Sequence, residues 1–272
     1  MPVPARGSAR KAVAAAALAV LAPVVAGCSG GYGTADTSAA AGASRRPVAT
    51  GNTLDQPVSD AVAGTSLVDQ RGRRLSLRSL RGTVVVLAPL LTMCQETCPM
   101  TTAELHRAAE DVSRGPLSGR VVFLEVTVDP RRDTVRRMHA YAALYGAVPG
   151  WRLVTGRPAA VQRLWRSLGV TTERAPTHEP VRDWMTGRLL QHSYDVHHQD
   201  VVLVIGADGR LRWITVGHPD ARGTRLPVTL HRFLDDEGRR NLARPTAAGA
   251  SAWSAHDVEQ AVRYVARLHA HG

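Results

Sequence analysis

Two short runs rich in valine and leucine, at residues 83–89 and 121–128, constrain the fold of this 272-residue chain most strongly. Each run has the length and the β-branched composition of a buried strand. Between them, Leu105, Ala109 and Val112 recur at helical spacing. Because strands that alternate with helices form helical layers on a partly parallel sheet, the sequence predicts an α/β protein with a central mixed sheet flanked by helices.

Weaker patterns extend this layout along the chain. Turn residues at 69–72 and 207–210 lie between apolar runs, so each predicts a β-hairpin, the first of them N-terminal to the buried strands. Further helices are expected at residues 134–145, 159–168 and 254–269. The stretch 171–190 has no clear period. Residues 218–252 are interpreted as an insertion before the last helix, with one short helix at 226–234.

Two cysteines, Cys94 and Cys98, are the only ones outside the N-terminal segment, and they indicate a metal-binding pair or a redox pair. Pro99 favours the first turn of a helix, which places Cys98 near the helix N-cap, where a thiolate is stabilised, and Cys94 in the preceding loop. Cβ atoms at i and i+4 on a helix are about 5–6 Å apart, wider than the roughly 3.5–4.5 Å of a disulfide. The loop can flex, so a disulfide stays possible, although one this local would constrain little of the chain.

Four motifs together resemble the Sco/SenC family. Residues 92–99, TMCQETCP, are similar to that family's T-x-C-x-x-x-C-P motif, and residues 128–134, VDPRRDT, are similar to its V-D-P-x-x-D-T motif. Residues 196–198, VHH, stand where the family has V-D-H, and residues 208–210 match the turn of the hairpin that follows. The resemblance covers residues 60–217 and the final helix.

The resemblance implies a thioredoxin-like fold and a copper site made by Cys94, Cys98 and His198. Two thiolates and one imidazole form a soft donor set that suits copper, as Cu(I), Cu(II) or both. The family assembles the copper site of cytochrome c oxidase, so the implied partner is the copper-bearing subunit of that enzyme or another copper protein. Asp129 corresponds to the family's acidic neighbour of the site. His197 replaces the family's aspartate, which removes a carboxylate from the surroundings of the metal.

The N-terminus has the pattern of an exported, lipidated protein. Arg6, Arg10 and Lys11 precede an apolar run at 12–26 that is short for a membrane span. The run ends in VAGC, and its last residue, Cys28, resembles the lipidated cysteine of bacterial lipoproteins. The predicted organisation is a signal peptide at 1–27, a lipidated Cys28 with a flexible tether at 28–59, and a Sco-type domain at 60–270. This places the protein on the extracytoplasmic face of a bacterial cell membrane, held by its lipid anchor.

Two other functions compete with copper assembly. A thiol-disulfide oxidoreductase would use Cys94 and Cys98 on a partner's cysteines, although the spacing is C-x-x-x-C and no proline lies near His198, where thioredoxins have a cis-proline. A thiol peroxidase does not fit, because Pro89 lies five residues before Cys94, whereas the peroxiredoxin motif P-x-x-x-[ST]-x-x-C has seven.

Lys11 is the only lysine, which excludes Schiff-base chemistry in the mature chain. The net charge of +11 comes from scattered arginines without an aromatic pattern, so no nucleic-acid partner is expected.

Several side chains near these motifs are assigned ordinary roles. His192 and His197 are expected to be solvated or hydrogen-bonded loop residues rather than additional ligands. Met93 and Met100 flank the cysteines, and a thioether also suits Cu(I). Met100 is equally consistent with helix packing, and the histidines at the C-terminus are expected to belong to a frayed end.

Overall fold

The computed structural model of this chain describes residues 50–243 and 252–268, together with Val48. Strands and helices alternate along these residues, as the sequence predicts. The strands are β1 (Asn52–Pro57), β2 (Leu67–Asp69), β3 (Arg74–Leu75), β4 (Val84–Leu90), β5 (Val121–Thr127), β6 (Trp151–Gly156), β7 (Thr172–Pro176), β8 (Pro180–Arg182), β9 (Leu189–Gln191), β10 (Tyr194–His198), β11 (Val201–Ile205) and β12 (Arg210–Val216). The α-helices are α1 (Asp60–Ala63), α2 (Cys98–Arg114), α3 (Val135–Tyr145), α4 (Pro158–Ser167), α5 (Val228–Phe233), α6 (Asp236–Ala243) and α7 (Ala255–Leu268).

An eight-stranded mixed sheet forms the centre of the domain, in the order β1-β12-β11-β4-β5-β6-β2-β3. Strands β4, β5 and β6 are parallel, whereas β11 is antiparallel to β4 and β12 is antiparallel to β11. Helix α2 connects β4 to β5, and α7 follows β12 and packs against α2. The order β12-β11-β4-β5 with these two helices is the thioredoxin-like arrangement, so the predicted α/β fold class is confirmed.

The two runs of valine and leucine become the central strands β4 and β5, and every residue of both is buried. A parallel strand covered on both faces needs such a continuous apolar sequence. Glu125 is the charged residue within β5 and is also buried. Its carboxylate accepts hydrogen bonds from Thr102 Oγ1 of α2 at 2.6 Å and from Trp151 Nε1 of β6 at 2.7 Å. These bonds fasten the first turns of α2 to the sheet, although burial raises the pKa of Glu125 to about 7.

The predicted tether is too long at its C-terminal end. Strand β1, at Asn52–Pro57, pairs antiparallel with β12 and forms an edge of the main sheet, so the domain begins before residue 60. Its side chains are almost all exposed, and it therefore lacks the apolar alternation that marks a strand in sequence. Gly51 precedes it with φ of 77°, and a Cβ there would lie 2.6 Å from the Ile214 carbonyl oxygen. Cys28, the predicted signal peptide and the tether up to residue 47 lie outside the described residues.

The stretch 171–190, which has no clear period in the sequence, contributes strands to two short antiparallel ribbons. Strand β7 pairs with β10, and β8 pairs with β9. The expectation of irregular structure is wrong here because these strands are short and mostly exposed, so apolar periodicity is weak. The β7–β10 ribbon matters for function, because β10 carries His197 and His198.

The insertion between β12 and α7 contains more helix than predicted. The expected short helix is confirmed as α5, and α6 follows it within two residues. The sequence of α6, DEGRRNLA, is polar and includes Gly238, so it carries little helical signal.

The last helix begins as predicted, since Ser254 Oγ accepts from the Asp257 amide at 3.3 Å and the Asp257 carboxylate accepts from the Ser254 amide at 2.8 Å. Among the described residues, no helix combines the length and the apolar character that crossing a bilayer requires.

Candidate metal centre

The two cysteines lie where the chain leaves the carboxyl end of β4 and enters α2. The Cys94 amide donates to the Leu91 carbonyl at 3.0 Å, which closes a turn after the strand. Cys98 is the first residue of α2, and Pro99 occupies the first turn, where its missing amide hydrogen costs nothing. Cys98 is 2% exposed, whereas Cys94 is partly exposed, and both are free thiols.

His198 reaches this loop from the end of β10. Its Nε2 atom lies 3.5 Å from Cys98 Sγ, and its Nδ1 atom lies 3.1 Å from the Gln199 carbonyl oxygen. Side chains alternate along β10, so buried Val196 and half-buried His198 face inward while His197 is exposed. The structure therefore brings His198, and not His197, against the cysteine pair.

The two thiols have different proton affinities. The Cys98 thiol donates a hydrogen bond to Cys94, and the amides of Cys98 and Glu96 also donate to Cys94, which together lower the pKa of Cys94 to about 7. The pKa of Cys98 is raised well above its usual range because it is the donor to Cys94 and is buried. The sequence predicts a stabilised thiolate at Cys98, whereas these contacts favour ionisation of Cys94 first. The amide at the start of α2 stabilises the thiolate at Cys94, one turn earlier in the chain.

A cleft of about 370 Å³ opens over these groups, lined by Cys94, His192, Tyr194, His197 and His198 among others. Within the described part of the chain, no group of three or more His, Cys, Asp or Glu side chains is already gathered closely enough to hold a metal ion. The donor chemistry nevertheless fits copper, because Cys94 and His198 line the cleft and the buried Cys98 thiol lies 3.5 Å from His198 Nε2. Cys94 is partly exposed on the cleft and Cys98 is buried, so Cys94 is the thiol that an ion entering the cleft meets first.

Asp129 is fully buried behind the cleft rather than exposed in it. Its carboxylate accepts from the Arg132 Nε atom and from the Tyr194 hydroxyl at 3.1 Å, and Arg174 lies 3.8 Å away. Arg132 and Tyr194 themselves line the cleft. Asp129 therefore acts on the site by fixing these two side chains and with them the start of β10.

Asp133 is a supporting residue that sequence analysis did not single out, although it is the second acid of the VDPRRDT motif. It is fully buried and accepts from the hydroxyl of Thr92 and, at 2.6 Å, from the hydroxyl of Thr127. These bonds join the start of the cysteine loop to the end of β5. Burial raises the pKa of Asp133 to about 6.

Asp200 and His218 were also missed. Asp200 Oδ1 lies 3.5 Å from Thr97 Oγ1, and Asp200 Oδ2 lies 3.2 Å from His218 Nε2. Both residues line the cleft, and His218 belongs to the insertion. No short motif could have indicated them, because the fold alone brings the insertion to the loop between the cysteines.

The histidine and methionine side chains that the sequence does not favour as metal ligands differ in their positions. His192 lines the cleft, and its buried Nε2 atom has no hydrogen-bond partner among the described residues. Met93 also lines the cleft, with Sδ 2.6 Å from an Arg137 nitrogen. Met100 is 1% exposed and packs inside the domain. The C-terminal histidines lie outside the described residues.

Comparison with known proteins identifies the family. The model of the SCO1/SenC family matches residues 56–223, more than half of the chain, so this protein belongs to that family. A candidate copper-binding protein of Stutzerimonas stutzeri is 29% identical over 188 residues, which cover 68% of this chain and 83% of that protein. A mitochondrial SCO2 homologue of Bos taurus is 28% identical over 144 residues, covering 53% of this chain and 49% of its own length. The solution structure of apo Sco1 from Thermus thermophilus is 28% identical with a TM-score of 0.47, covering 60% of this chain and 84% of that one.

The asymmetry of the two thiols can be tested by alkylation. In the reduced, metal-free protein, iodoacetamide should modify Cys94 with a rate that rises around pH 7, because the thiolate is the nucleophile. Cys98→Ala removes the hydrogen-bond donor and should move that midpoint toward the ordinary value of about 8.5. Cys98→Ser keeps a donor and serves as the matched control, with a smaller shift. Peptide mapping after timed labelling measures both rates, and faster labelling of Cys98 than of Cys94 would contradict this assignment.

Proposed function

We propose that this protein binds copper with Cys94, Cys98 and His198 and delivers it during the assembly of a copper enzyme. The observation that carries this proposal is the approach of His198 to the free thiols Cys94 and Cys98, with Nε2 3.5 Å from Cys98 Sγ. Two sulfurs and one imidazole nitrogen are the donors that copper accepts readily, whereas zinc usually takes a fourth ligand. The name of the Stutzerimonas relative, a candidate copper-binding protein, points the same way.

The protonation of the two thiols suits a carrier that must take up copper and release it again. Near neutral pH Cys94 is partly ionised and can bind the incoming ion first. Cys98 keeps its proton until it also becomes a ligand, so completing the site releases a proton and copper affinity rises with pH. Because Cys94 is exposed on the cleft, a ligand of the partner protein can reach copper there. Copper would then leave Cys98 first and Cys94 last, which is the reverse of the order in which it binds.

The proposed recipient is the copper-bearing subunit of cytochrome c oxidase or another copper protein. Membership of the SCO1/SenC family supports a role in cytochrome c oxidase assembly. The chain spans about half the length of the bovine relative, so nothing specific to that protein is transferred to this one. Recognition of the recipient would occur around the open cleft, where the partly exposed Cys94 lies.

A second candidate function, thiol-disulfide exchange, is favoured by the lowered pKa of Cys94. In that reaction the Cys94 thiolate attacks a disulfide of a partner and forms a mixed disulfide. Cys98 then loses its proton and attacks Cys94, which leaves the partner with two thiols and this protein with a Cys94–Cys98 disulfide. The two functions differ in their need for His198, because exchange requires only the cysteine pair.

His198 is best tested with both oxidation states of copper. Two thiolates can hold Cu(I) without a third donor, but Cu(II) prefers nitrogen ligands and a higher coordination number. His198→Ala should therefore weaken Cu(II) binding more than the roughly 10–100-fold typical of losing an outer-shell partner, with a smaller effect on Cu(I). Paired competition titrations of the reduced full-length protein, purified in detergent, measure both affinities, and Cys94→Ser and Cys98→Ser should abolish tight binding of Cu(I).

His197→Ala is the matched control, because His197 is the adjacent residue of β10 and is exposed, whereas His198 is the histidine that contacts Cys98. It should leave both affinities close to those of the wild type. Loss of Cu(II) binding in His197→Ala but not in His198→Ala would mean that the wrong histidine is assigned. Negligible effects of both substitutions would remove histidine from the site and favour thiol-disulfide exchange instead.

We also propose that Cys28 is the lipid anchor that holds the protein on the extracytoplasmic face of a bacterial membrane. The VAGC sequence and the following residues rich in glycine, alanine and serine support this location. One acyl chain binds membranes only marginally, so stable anchoring needs more than one chain. Cys28→Ser should block processing or release the protein into the soluble fraction. Membrane fractionation with mass determination of the mature N-terminus tests this, and normal processing with full membrane retention would be incompatible with it.

A further inference from the structure

Part of the insertion packs directly on the loop that joins the two cysteines. The side-chain amide of Gln95 donates to the Phe233 carbonyl at 2.7 Å, and the Asp235 amide donates to the Gln95 carbonyl at 3.3 Å. Residues 233–238, named here the clamp segment, therefore bond both the side chain and the backbone of a residue next to Cys94. The segment lies beyond residue 223, where the match to the SCO1/SenC family ends.

Gly238 permits the close approach of the clamp segment. A Cβ atom at this position would lie well inside van der Waals contact with the Gln95 carbonyl oxygen and 3.0 Å from its carbon, where ordinary contacts begin at 3.4 Å. Glycine inside a helix costs about 1 kcal/mol relative to alanine, so the residue works against the stability of α6 itself. Its close contact with the cysteine loop explains why a glycine occupies position 238. The Gly238 amide also donates to Asp235 Oδ1 at 2.7 Å, which fixes the start of α6 on the loop.

Thr97, the last residue between the cysteines, is linked to the insertion through Asp200. Thr97 contacts Asp200, which pairs with His218 at the start of the insertion. The loop is thus bonded to the insertion directly at Gln95 and through Asp200 at Thr97, and Cys94 lies at the end of that loop.

We propose that the clamp segment positions the cysteine loop for copper, with Gly238 and Gln95 as its positioning residues. The inference rests on the proposed copper site. Cys94 must stay within reach of an ion that Cys98 and His198 also bind, and a loop held near its bound conformation loses less entropy when the ion binds. A loop released from this position would let Cys94 move away from the other donors. The clamp segment therefore sets copper affinity without touching the metal.

The test is Gly238→Ala in the full-length, reduced protein, with Gly115→Ala as the matched control. Gly115 ends α2 far from the cysteines, and its added Cβ would make only ordinary contacts at 3.5 and 3.6 Å. Gly238→Ala should weaken Cu(I) binding by about 10-fold or more, in the range seen when a supporting partner of a ligand is lost. It should also change the rate at which iodoacetamide modifies Cys94 in the metal-free protein. Gly115→Ala should leave both quantities unchanged.

Gln95→Ala provides a second variant that introduces no clash and removes only the bond to Phe233. It should change copper affinity and Cys94 labelling in the same direction as Gly238→Ala but less, and it decides the matter if Gly238→Ala fails to fold. Wild-type affinity and labelling in a folded Gly238→Ala and in Gln95→Ala would overturn the clamp while leaving the copper site intact. If the wild type itself does not bind copper, the proposed function fails. The labelling rates of the metal-free variants then decide alone whether the segment positions the loop.

Discussion

The approach of His198 Nε2 to within 3.5 Å of Cys98 Sγ joins residues that lie 100 positions apart in the chain. Cys98 is fixed because it begins a helix whose first turns are bonded to the central sheet through Thr102 and Glu125. His198 depends on a much smaller element, the β7–β10 ribbon, which has only two strands. Two-stranded ribbons are marginal by themselves, so this contact requires support from the rest of the domain.

Buried carboxylates behind the cleft provide that support. Asp129 holds Arg132 and Tyr194, and Tyr194 begins β10, so the ribbon is tied to the end of β5. Asp133 ties the start of the cysteine loop to the same point through two threonine hydroxyls. Burying a carboxylate is unfavourable unless its oxygens are hydrogen-bonded, and these partners meet that requirement. The cysteine loop and strand β10 are thus both bonded to residues at the end of β5, and the insertion contacts the loop from another side.

Much of the domain could be predicted from the sequence because its centre is strongly patterned. The apolar strands β4 and β5 and the Ser254–Asp257 capping box carry clear local signals. Strand β1 and α6 do not, since their residues are polar and their positions come from pairing and packing with distant parts of the chain. At the site, the motifs identify the cysteines and His198 as candidates. The thiol that ionises first could not be predicted, because the pKa of Cys94 depends on which sulfur donates the hydrogen bond. The roles of Gly238 and His218 depend in the same way on the three-dimensional placement of the insertion.

X-ray absorption spectroscopy at the copper edge tests the central claim most directly, because it counts the sulfur and nitrogen atoms bound to the metal. The full-length protein loaded with one equivalent of Cu(I) should show two sulfur scatterers and one imidazole nitrogen. The imidazole contribution should disappear in His198→Ala and persist in His197→Ala. A spectrum with nitrogen and oxygen ligands alone, or one in which the imidazole signal depends on His197, would contradict the account of the site given by the fold.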